Sequence, residues 1–285
     1  MIQTLSLGGD LTVHRVGFGA MRLPRNSFTG PARDPETGRA VLRRAVELGV
    51  DHIDTADFYR SGGEGAVRAN TLIREALHPY ADGLTIATKV GPVFGPEGPL
   101  GEAAPAQLRA QVETNLENLG LDRLDLVYLR IGSSLEVPHG DSLAERFEAL
   151  AALREEGLIR HLGISNVDTA HLAQARAIAP VAAVQNHFNP VDRAATELHA
   201  ACADAGIAFV PFGSLGMGMT DVSSAAIEKV AARHGATVHQ IALAWALSLS
   251  PVTLVIPGTG STEHLEENVA AGSLTLTDED LADLG

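Results

Sequence analysis

The sequence predicts an α/β chain folded as one closed (β/α)8 barrel of the TIM type, preceded by a β-hairpin. Three observations carry that prediction. Short apolar runs bounded by turn residues alternate with longer stretches of 3.6-residue periodicity, which calls for a parallel sheet with crossover helices. The 285 residues show no linker or composition break, so residues 1–285 read as a single domain, and a barrel needs about 250. Polar residues fall just after the apolar runs, at Asp54, Lys89, Arg130, Ser165, Asn166 and Gln185. A closed barrel gathers its strand ends at one mouth, whereas an open sheet spreads them along an edge.

The elements follow in chain order. Residues 4–7 and 11–13 flank Gly8-Gly9-Asp10, whose glycines supply the φ > 0 backbone of a hairpin turn. Strands are expected at 15–20, 52–56, 84–90, 124–130, 161–166, 182–186, 208–213 and 253–257. Helices are expected at 35–48, 66–77, 105–119, 142–156, 169–178, 193–205, 224–234, 238–249 and 262–271. Gly49, Gly157, Gly206, Gly235 and Gly272 stand where C-caps belong. The Gly/Pro-rich stretch 91–101 reads as a loop over the barrel mouth.

An open dinucleotide-binding sheet would carry G-x-G-x-x-G after its first strand. Gly17 and Gly19 lack the third glycine, and Gly213, Gly216 and Gly218 have the wrong spacing, so both sets read as turn and packing glycines.

Composition narrows the function. The 21 Lys and Arg against 35 Asp and Glu leave a net charge of −14, a surface that repels phosphate backbones and argues against a nucleic-acid partner. Local helix N-termini and backbone N–H groups can still hold a nucleotide. Cys202 is the single cysteine, which excludes an intrachain disulfide and suits a reducing cytoplasm. Met1 to Thr4 shows no leader pattern, and no apolar run reaches the roughly 18 residues of a membrane span. The longest, 241–249, reads as a buried helix. The acidic surface suits a monomer or a weak homo-oligomer. His264 and Glu267 stand at helical spacing, but no third ligand lies near them in sequence, so no metal site is read.

The segments Ile53-Asp54-Thr55-Ala56 with Tyr59, Thr88-Lys89, Gly163-Ile164-Ser165-Asn166, Val184-Gln185-Asn186, and Ile256-Pro257-Gly258-Thr259 with Glu266-Glu267-Asn268 occur in one order at expected strand ends. In that order they resemble the aldo-keto reductase family across nearly the whole chain. The segments around 17–23 and 74–79 look most like its pyridoxal-reductase-like branch. The resemblance implies hydride transfer between a nicotinamide cofactor and a small-molecule carbonyl. Tyr59 matches the family's acid. Lys89 matches the cation that makes the phenol a better donor, and Asp54 the carboxylate that holds the lysine.

One position departs from the pattern. The family's histidine at the end of the fourth strand is replaced by Arg130, in Leu124-Asp125-Leu126-Val127-Tyr128-Leu129-Arg130. Arginine keeps its charge, passes no proton, and offers fixed donors to an oxyanion, carboxylate or phosphate. Three outcomes are open: Arg130 clamps a carbonyl, or one conjugated to C=C; carbonyl reduction is slowed and the cofactor serves another use; or Arg130 turns away onto an acid. Beside carbonyl reduction, two alternatives therefore stand: reduction of a conjugated C=C or C=N bond, and a nicotinamide-binding regulatory subunit with little turnover.

For the cofactor, the resemblance implies contacts from Gly19, Met21 and Asp54. It assigns Ser165, Asn166 and Gln185 to the carboxamide, which needs donors and acceptors together. Asn166 or Asp168 also suits the cap of the next helix. Phe212 would stack on the nicotinamide. Gly213, Ser214, Leu215 and Gly216 continue a loop that would cover the pyrophosphate. Gly258, Thr259, Gly260 and Ser261 allow close backbone approach to phosphate at a helix start. His264 occupies a place that a basic residue often holds against a 2′-phosphate, and Glu267 and Asn268 match contacts to the adenine. NADPH is therefore preferred over NADH.

Overall fold

The computed structural model describes residues 3–26, 31–62, 65–95 and 98–285. The leader reading of Met1 to Thr4 falls partly outside them, as do positions 96 and 97 of the 91–101 stretch. Strands β1 (Thr4–Leu7) and β2 (Leu11–His14) form the expected antiparallel hairpin. Then come β3 (Phe18–Gly19), helix α1 (Pro35–Glu47), β4 (His52–Asp54), α2 (Ala69–Leu77) and β5 (Thr85–Val90). A ribbon of β6 (Pro92–Gly95) and β7 (Gly98–Glu102) precedes α3 (Pro105–Leu119), β8 (Leu124–Arg130), α4 (Ala144–Glu155) and β9 (Ile159–Ser165). The chain continues through α5 (Thr169–Ile178), β10 (Val181–His187), α6 (Thr196–Ala205) and β11 (Ala208–Phe212). It ends with α7 (Ala225–His234), α8 (Val238–Ser248), α9 (Thr262–Ala270) and α10 (Asp278–Leu284).

Seven parallel strands pair in the order β11-β10-β9-β8-β5-β4-β3. The eighth stave, expected at 253–257, closes the barrel as two parallel bridges, Phe209 to Thr253 and Val16 to Val255, rather than as a full strand. Its amides still alternate between neighbours: Leu254 N donates to Phe209 O at 3.0 Å and Val255 N to Arg15 O at 2.9 Å. Pro257 has no N–H to donate, but its carbonyl still accepts from Gly19 N at 3.3 Å. The buried Arg15 anchors this stave by donating Nε to Thr253 O at 2.8 Å and Nη2 to Leu247 O and Ser250 O, each at 2.5 Å. Gly19 and Gly258 meet backbone to backbone across the seam, with no room for a Cβ on either.

Two apolar regions hold the fold. One lies between strands and helices. The other fills the barrel with Ala87, Leu126, Tyr128, Ala183, Val210 and Leu254. Leu7 and Val13 belong to the inner one, so the hairpin plugs the barrel bottom. Asp10 at its tip accepts from Arg160 Nη2 at 2.8 Å and pairs with His161 at 2.5 Å, pinning the plug to β9.

Four expectations need correction. Within the 91–101 stretch β6 and β7 pair as an antiparallel ribbon, with Phe94 against Phe58 at 5.2 Å between ring centroids. The helices expected from 66, 142 and 193 begin two or three residues later, at Ala69, Ala144 and Thr196. Gly272 is no left-handed cap; it lies in a 3₁₀ turn, where a Cβ would meet Val16 Cγ2 at 2.8 Å. Helix α10 was not expected, although Thr277 and Asp280 form a reciprocal capping box at its start.

Gly163 makes room for the Tyr128 ring: a Cβ there would lie 2.6 Å from Tyr128 Cδ1 and 2.8 Å from Ala183 O. Gly163→Ala is therefore expected to destabilise the barrel by about 1–3 kcal/mol. Denaturant unfolding measures this, and an unchanged midpoint would refute the packing argument.

Candidate active site

Inward-facing positions alternate along each strand, and register stacks them in layers. Gly19, Asp54, Ala87 and Leu126 pair in one layer, and Lys89, Tyr128 and Gly163 in the next. Arg130 and Ser165 pair beyond them, toward the C-terminal mouth.

Lys89 is 2 % exposed and forms an ion pair with Asp54 Oδ1, itself 2 % exposed. The ammonium also donates to Thr55 O at 3.1 Å, and Gln185 Nε2 donates to Asp54 Oδ2 at 2.7 Å. Burial alone would lower the lysine's pKa, but the Asp54 carboxylate and the Tyr59 phenol outweigh it and raise the net value. The half-buried Tyr59 ring centroid lies 5.0 Å from Lys89 Nζ. Its backbone is held at both ends: Tyr59 N donates to Ala56 O at 3.0 Å and Ala69 N, at the start of α2, to Tyr59 O at 2.9 Å.

Arg130 stays in the mouth. Nη2 donates to Ser134 O at 2.7 Å, Nη1 reaches Ser165 Oγ at 3.4 Å, and the guanidinium carbon sits 5.2 Å from the Phe212 ring centroid. Among the described residues it makes no ion pair, so it has not turned onto an acid. Burial lowers its pKa and the nearby Tyr59 opposes this, but the group remains a cation at any physiological pH.

Asn166 has φ 63, and Met217, with φ 55, is the other described non-glycine residue with positive φ. Both lie at the mouth, where strained backbone marks a shape the surroundings impose. Asn166 Nδ2 donates to Ile131 O and Glu136 O at 2.9 Å each, while its buried Oδ1 has no hydrogen-bond partner. Asp168, not Asn166, caps α5 by accepting from His171 N at 3.0 Å.

The loop after β11 turns through Gly213 and Gly216, both at φ 72, and a Cβ on Gly213 would meet His187 Cδ2 at 2.5 Å. Ser214 Oγ is spent within the loop, donating to Pro211 O at 3.0 Å, and Leu215 packs on the outer core. Across the mouth, Thr259 Oγ1 accepts from Ser261 N at 3.1 Å and Ser261 Oγ caps α9 through His264 N at 3.3 Å. His264 is exposed, Asn268 is buried, and Glu267 O accepts from Gln240 Nε2 at 3.1 Å. Among the described residues no group of three His, Cys, Asp or Glu side chains is placed to hold a metal ion.

Three contributors escaped the sequence reading. Arg33 lies across Gly260 and donates to its carbonyl at 3.3 Å. Arg22, beside Met21, donates to Met217 O, so the segment after β3 ties both mouth loops together. Tyr128 is fully buried next to Lys89, with Lys89 Nζ 5.9 Å from its ring centroid. None of the three carries a local signal; only Met217, which Arg22 reaches, is marked, by its flanking glycines.

The profile of the Aldo/keto reductase family matches residues 15–285. The chain therefore belongs to that family of oxidoreductases, and its fold is the family's barrel. Pyridoxine 4-dehydrogenase of Escherichia coli K12 is 45% identical over 280 residues, covering 97% of this chain and 95% of that protein. An aldo-keto reductase from Klebsiella pneumoniae in complex with NADPH superposes with TM-score 0.81 at 26% identity, covering 100% of this chain and 94% of that one. A thermostable aldo-keto reductase bound to the inhibitor epalrestat gives 0.81 at 28%, covering 99% and 98%. No helix among the described residues is long and apolar enough to cross a membrane.

His52 lies on the inner face below Asp54, and both ring nitrogens are buried without a partner. Burial pushes its pKa down to about 4; Asp54 pulls it up in part and Lys89 presses it lower. Between an unfolded value near 6.5 and about 4, the unfolded chain binds more protons than the folded one. Stability therefore falls as pH falls through that window, by roughly 3 kcal/mol in all. His52→Leu is expected to flatten this acid limb in thermal unfolding across the window. An identical limb in the variant would assign it to other groups.

Proposed function

We propose that the chain is an NADP-dependent oxidoreductase that interconverts a small-molecule carbonyl and its alcohol, with Asp54, Tyr59, Lys89 and Arg130 around the reacting atoms. The observation that carries this reading is the buried Asp54–Lys89 pair set against the Tyr59 ring. The similarity to pyridoxine 4-dehydrogenase supports a pyridoxine-type alcohol and its aldehyde as the substrate pair.

The residues present fit the cofactor. Asn166 Oδ1 is a buried acceptor with no partner, the group that a carboxamide NH₂ needs. Gln185 has its amide nitrogen committed to Asp54, which leaves its oxygen as a second acceptor. Ser165 and Phe212 adjoin them. Arg33 over Gly260 and the exposed His264 offer donors to phosphate, and the N-terminus of α9 adds backbone N–H groups. NADPH in the Klebsiella neighbour agrees with that choice over NADH. When bound, NADPH supplies a hydride to the carbonyl carbon.

The protein's own part is proton supply and charge. Tyr59 gives its proton to the carbonyl oxygen. Lys89, kept charged by Asp54, stabilises the phenolate left behind. Asp54 fixes the ammonium and is fixed in turn by Gln185. Arg130 adds positive potential at the oxygen.

Oxidation of NADPH with a panel of aldehydes that includes pyridoxal tests the reading. Tyr59→Phe is expected to lower kcat by about 10²–10⁴-fold while NADPH affinity holds. A variant with most of its activity would remove Tyr59 from the role. Enone- or imine-only turnover would shift the reading to C=C or C=N reduction, and cofactor binding without turnover to a regulatory subunit. His264→Glu is expected to weaken NADPH about tenfold or more and leave NADH unchanged. Equal losses for both dinucleotides would move the 2′-phosphate elsewhere.

A further inference from the structure

Arg130 brings a positive charge into the mouth, where Asp54, Glu102, Asp168 and Asp192 are committed elsewhere and the exposed Glu136 forms no ion pair with it among the described residues. Asp54 is held by Lys89 and Gln185. Glu102 pairs with Arg146 at 2.6 Å, Asp168 with His139 at 2.8 Å and with His171 at 2.7 Å, and Asp192 with His187 at 3.0 Å. The partners of Arg130 are neutral oxygens, one of them at 3.4 Å, and the face of an aromatic ring. Its guanidinium keeps further N–H donors.

The register fixes its height. Arg130 lies two residues beyond Tyr128 on β8, and Tyr128 pairs with Lys89, so the guanidinium's Cα stands about 7 Å further up the strand than the ammonium's layer. Tyr59 lies against Lys89 and is within electrostatic reach of Arg130. Two anchors thus face one small space: a phenol for the reacting oxygen, and a cation for a second oxygen.

We propose that Arg130 is a specificity residue that pairs with an anionic oxygen on the atom next to the carbonyl-bearing carbon of the substrate. The class is an aromatic aldehyde, or its alcohol, with an ionised hydroxyl or a carboxylate in the ortho position. This rests on the carbonyl–alcohol reading above and narrows it, since a pyridoxine-type ring carries a hydroxyl beside the reacting substituent. A charge-assisted contact of this kind discriminates by about tenfold or more, and Phe212 keeps the guanidinium plane in place for it.

Two measurements on the full chain test the assignment. The first compares kcat/KM for 2-hydroxybenzaldehyde and 2-carboxybenzaldehyde with neutral 2-methoxybenzaldehyde, at a pH that ionises the hydroxyl. The anionic substrates are expected to lead by about tenfold or more, with the leader of the two naming the oxygen type. Arg130→Gln is expected to bring the ratio close to one, and Arg130→Lys to keep part of it. The second is calorimetric titration, with and without NADP, of 2-hydroxybenzoate against neutral 2-hydroxybenzamide. The anion is expected to bind more tightly to the wild type and no more tightly to Arg130→Gln. Equal affinities in the wild type, or a preference that survives Arg130→Gln while NADPH still binds, would overturn the proposal. Glu136, exposed on the loop that carries Ser134, supplies the control: a preference that moves as much with Glu136→Gln would also overturn it. A protein that oxidises no NADPH with any aldehyde but keeps the calorimetric preference would refute the carbonyl reading and leave the anion site standing.

Discussion

The site depends on one interaction, the ion pair of Lys89 with Asp54 inside the barrel. Taking two charges out of water costs several kcal/mol per ion, and a buried pair recovers that only with good geometry and further hydrogen bonds. Both conditions are met from different strands: β5 brings the ammonium, β4 the carboxylate, the residue just past β4 the Thr55 carbonyl, and β10 the Gln185 amide. Removing one partner of such a pair typically destabilises by about 3–5 kcal/mol, because the other charge stays buried and uncompensated. The pair is thus an unpromising way to stabilise a core and an effective way to keep a cation at full charge in a dry place.

The barrel makes that arrangement possible. Asp54, Lys89 and Gln185 are far apart in sequence and come from three strands, so only a sheet curled on itself brings all three into contact. Closure rests on small local conditions. Gly19 and Gly258 must touch backbone to backbone, Arg15 must hold carbonyls of the last stave, and Leu7 and Val13 must plug the bottom. Tyr128 links this architecture to the chemistry. Its ring fills the space that Gly163 leaves and lies 5.9 Å from the Lys89 ammonium. Burial raises its phenol's pKa well above the ordinary value, with Asp54 adding to the rise and Gln185 opposing it, so Tyr128 remains a neutral partner beside a charged pair.

The sequence revealed what depends on local pattern. Periodicity, caps and turn glycines placed β8, α3 and α5 to the residue, and the polar residues ending β4, β5, β8, β9 and β10 pointed at one mouth. It was silent where partners are set by tertiary approach. Nothing local marks Arg33 as lying on Gly260, or Arg22 as reaching Met217, because each contact joins the segment after β3 to loops far away in sequence that only barrel closure brings beside it. Ser214 has the composition of a phosphate-loop residue, yet its hydroxyl bonds within its own loop. The 91–101 ribbon was unreadable for a similar reason: glycines and prolines mark turns, while Phe94 against Phe58 is a contact between distant segments.

Arg130 sets the electrostatic character of the mouth. An imidazole at this strand end could be neutral and share a proton, so the mouth would carry one buried cation, already balanced by Asp54. With arginine the mouth holds a second cation, and the protein supplies it only dipoles, the Ser134 carbonyl and the Ser165 hydroxyl, together with the quadrupole of Phe212. Such partners hold a guanidinium in direction but leave its charge largely uncompensated. A chain with net charge −14 has carboxylates in surplus, yet Glu102 and Asp168 near the mouth are tied to other partners and none pairs with Arg130 among the described residues. The missing negative charge is then most economically brought by what the site binds, and the same potential that attracts an anionic oxygen also stabilises the charge that develops on a carbonyl oxygen beside Tyr59.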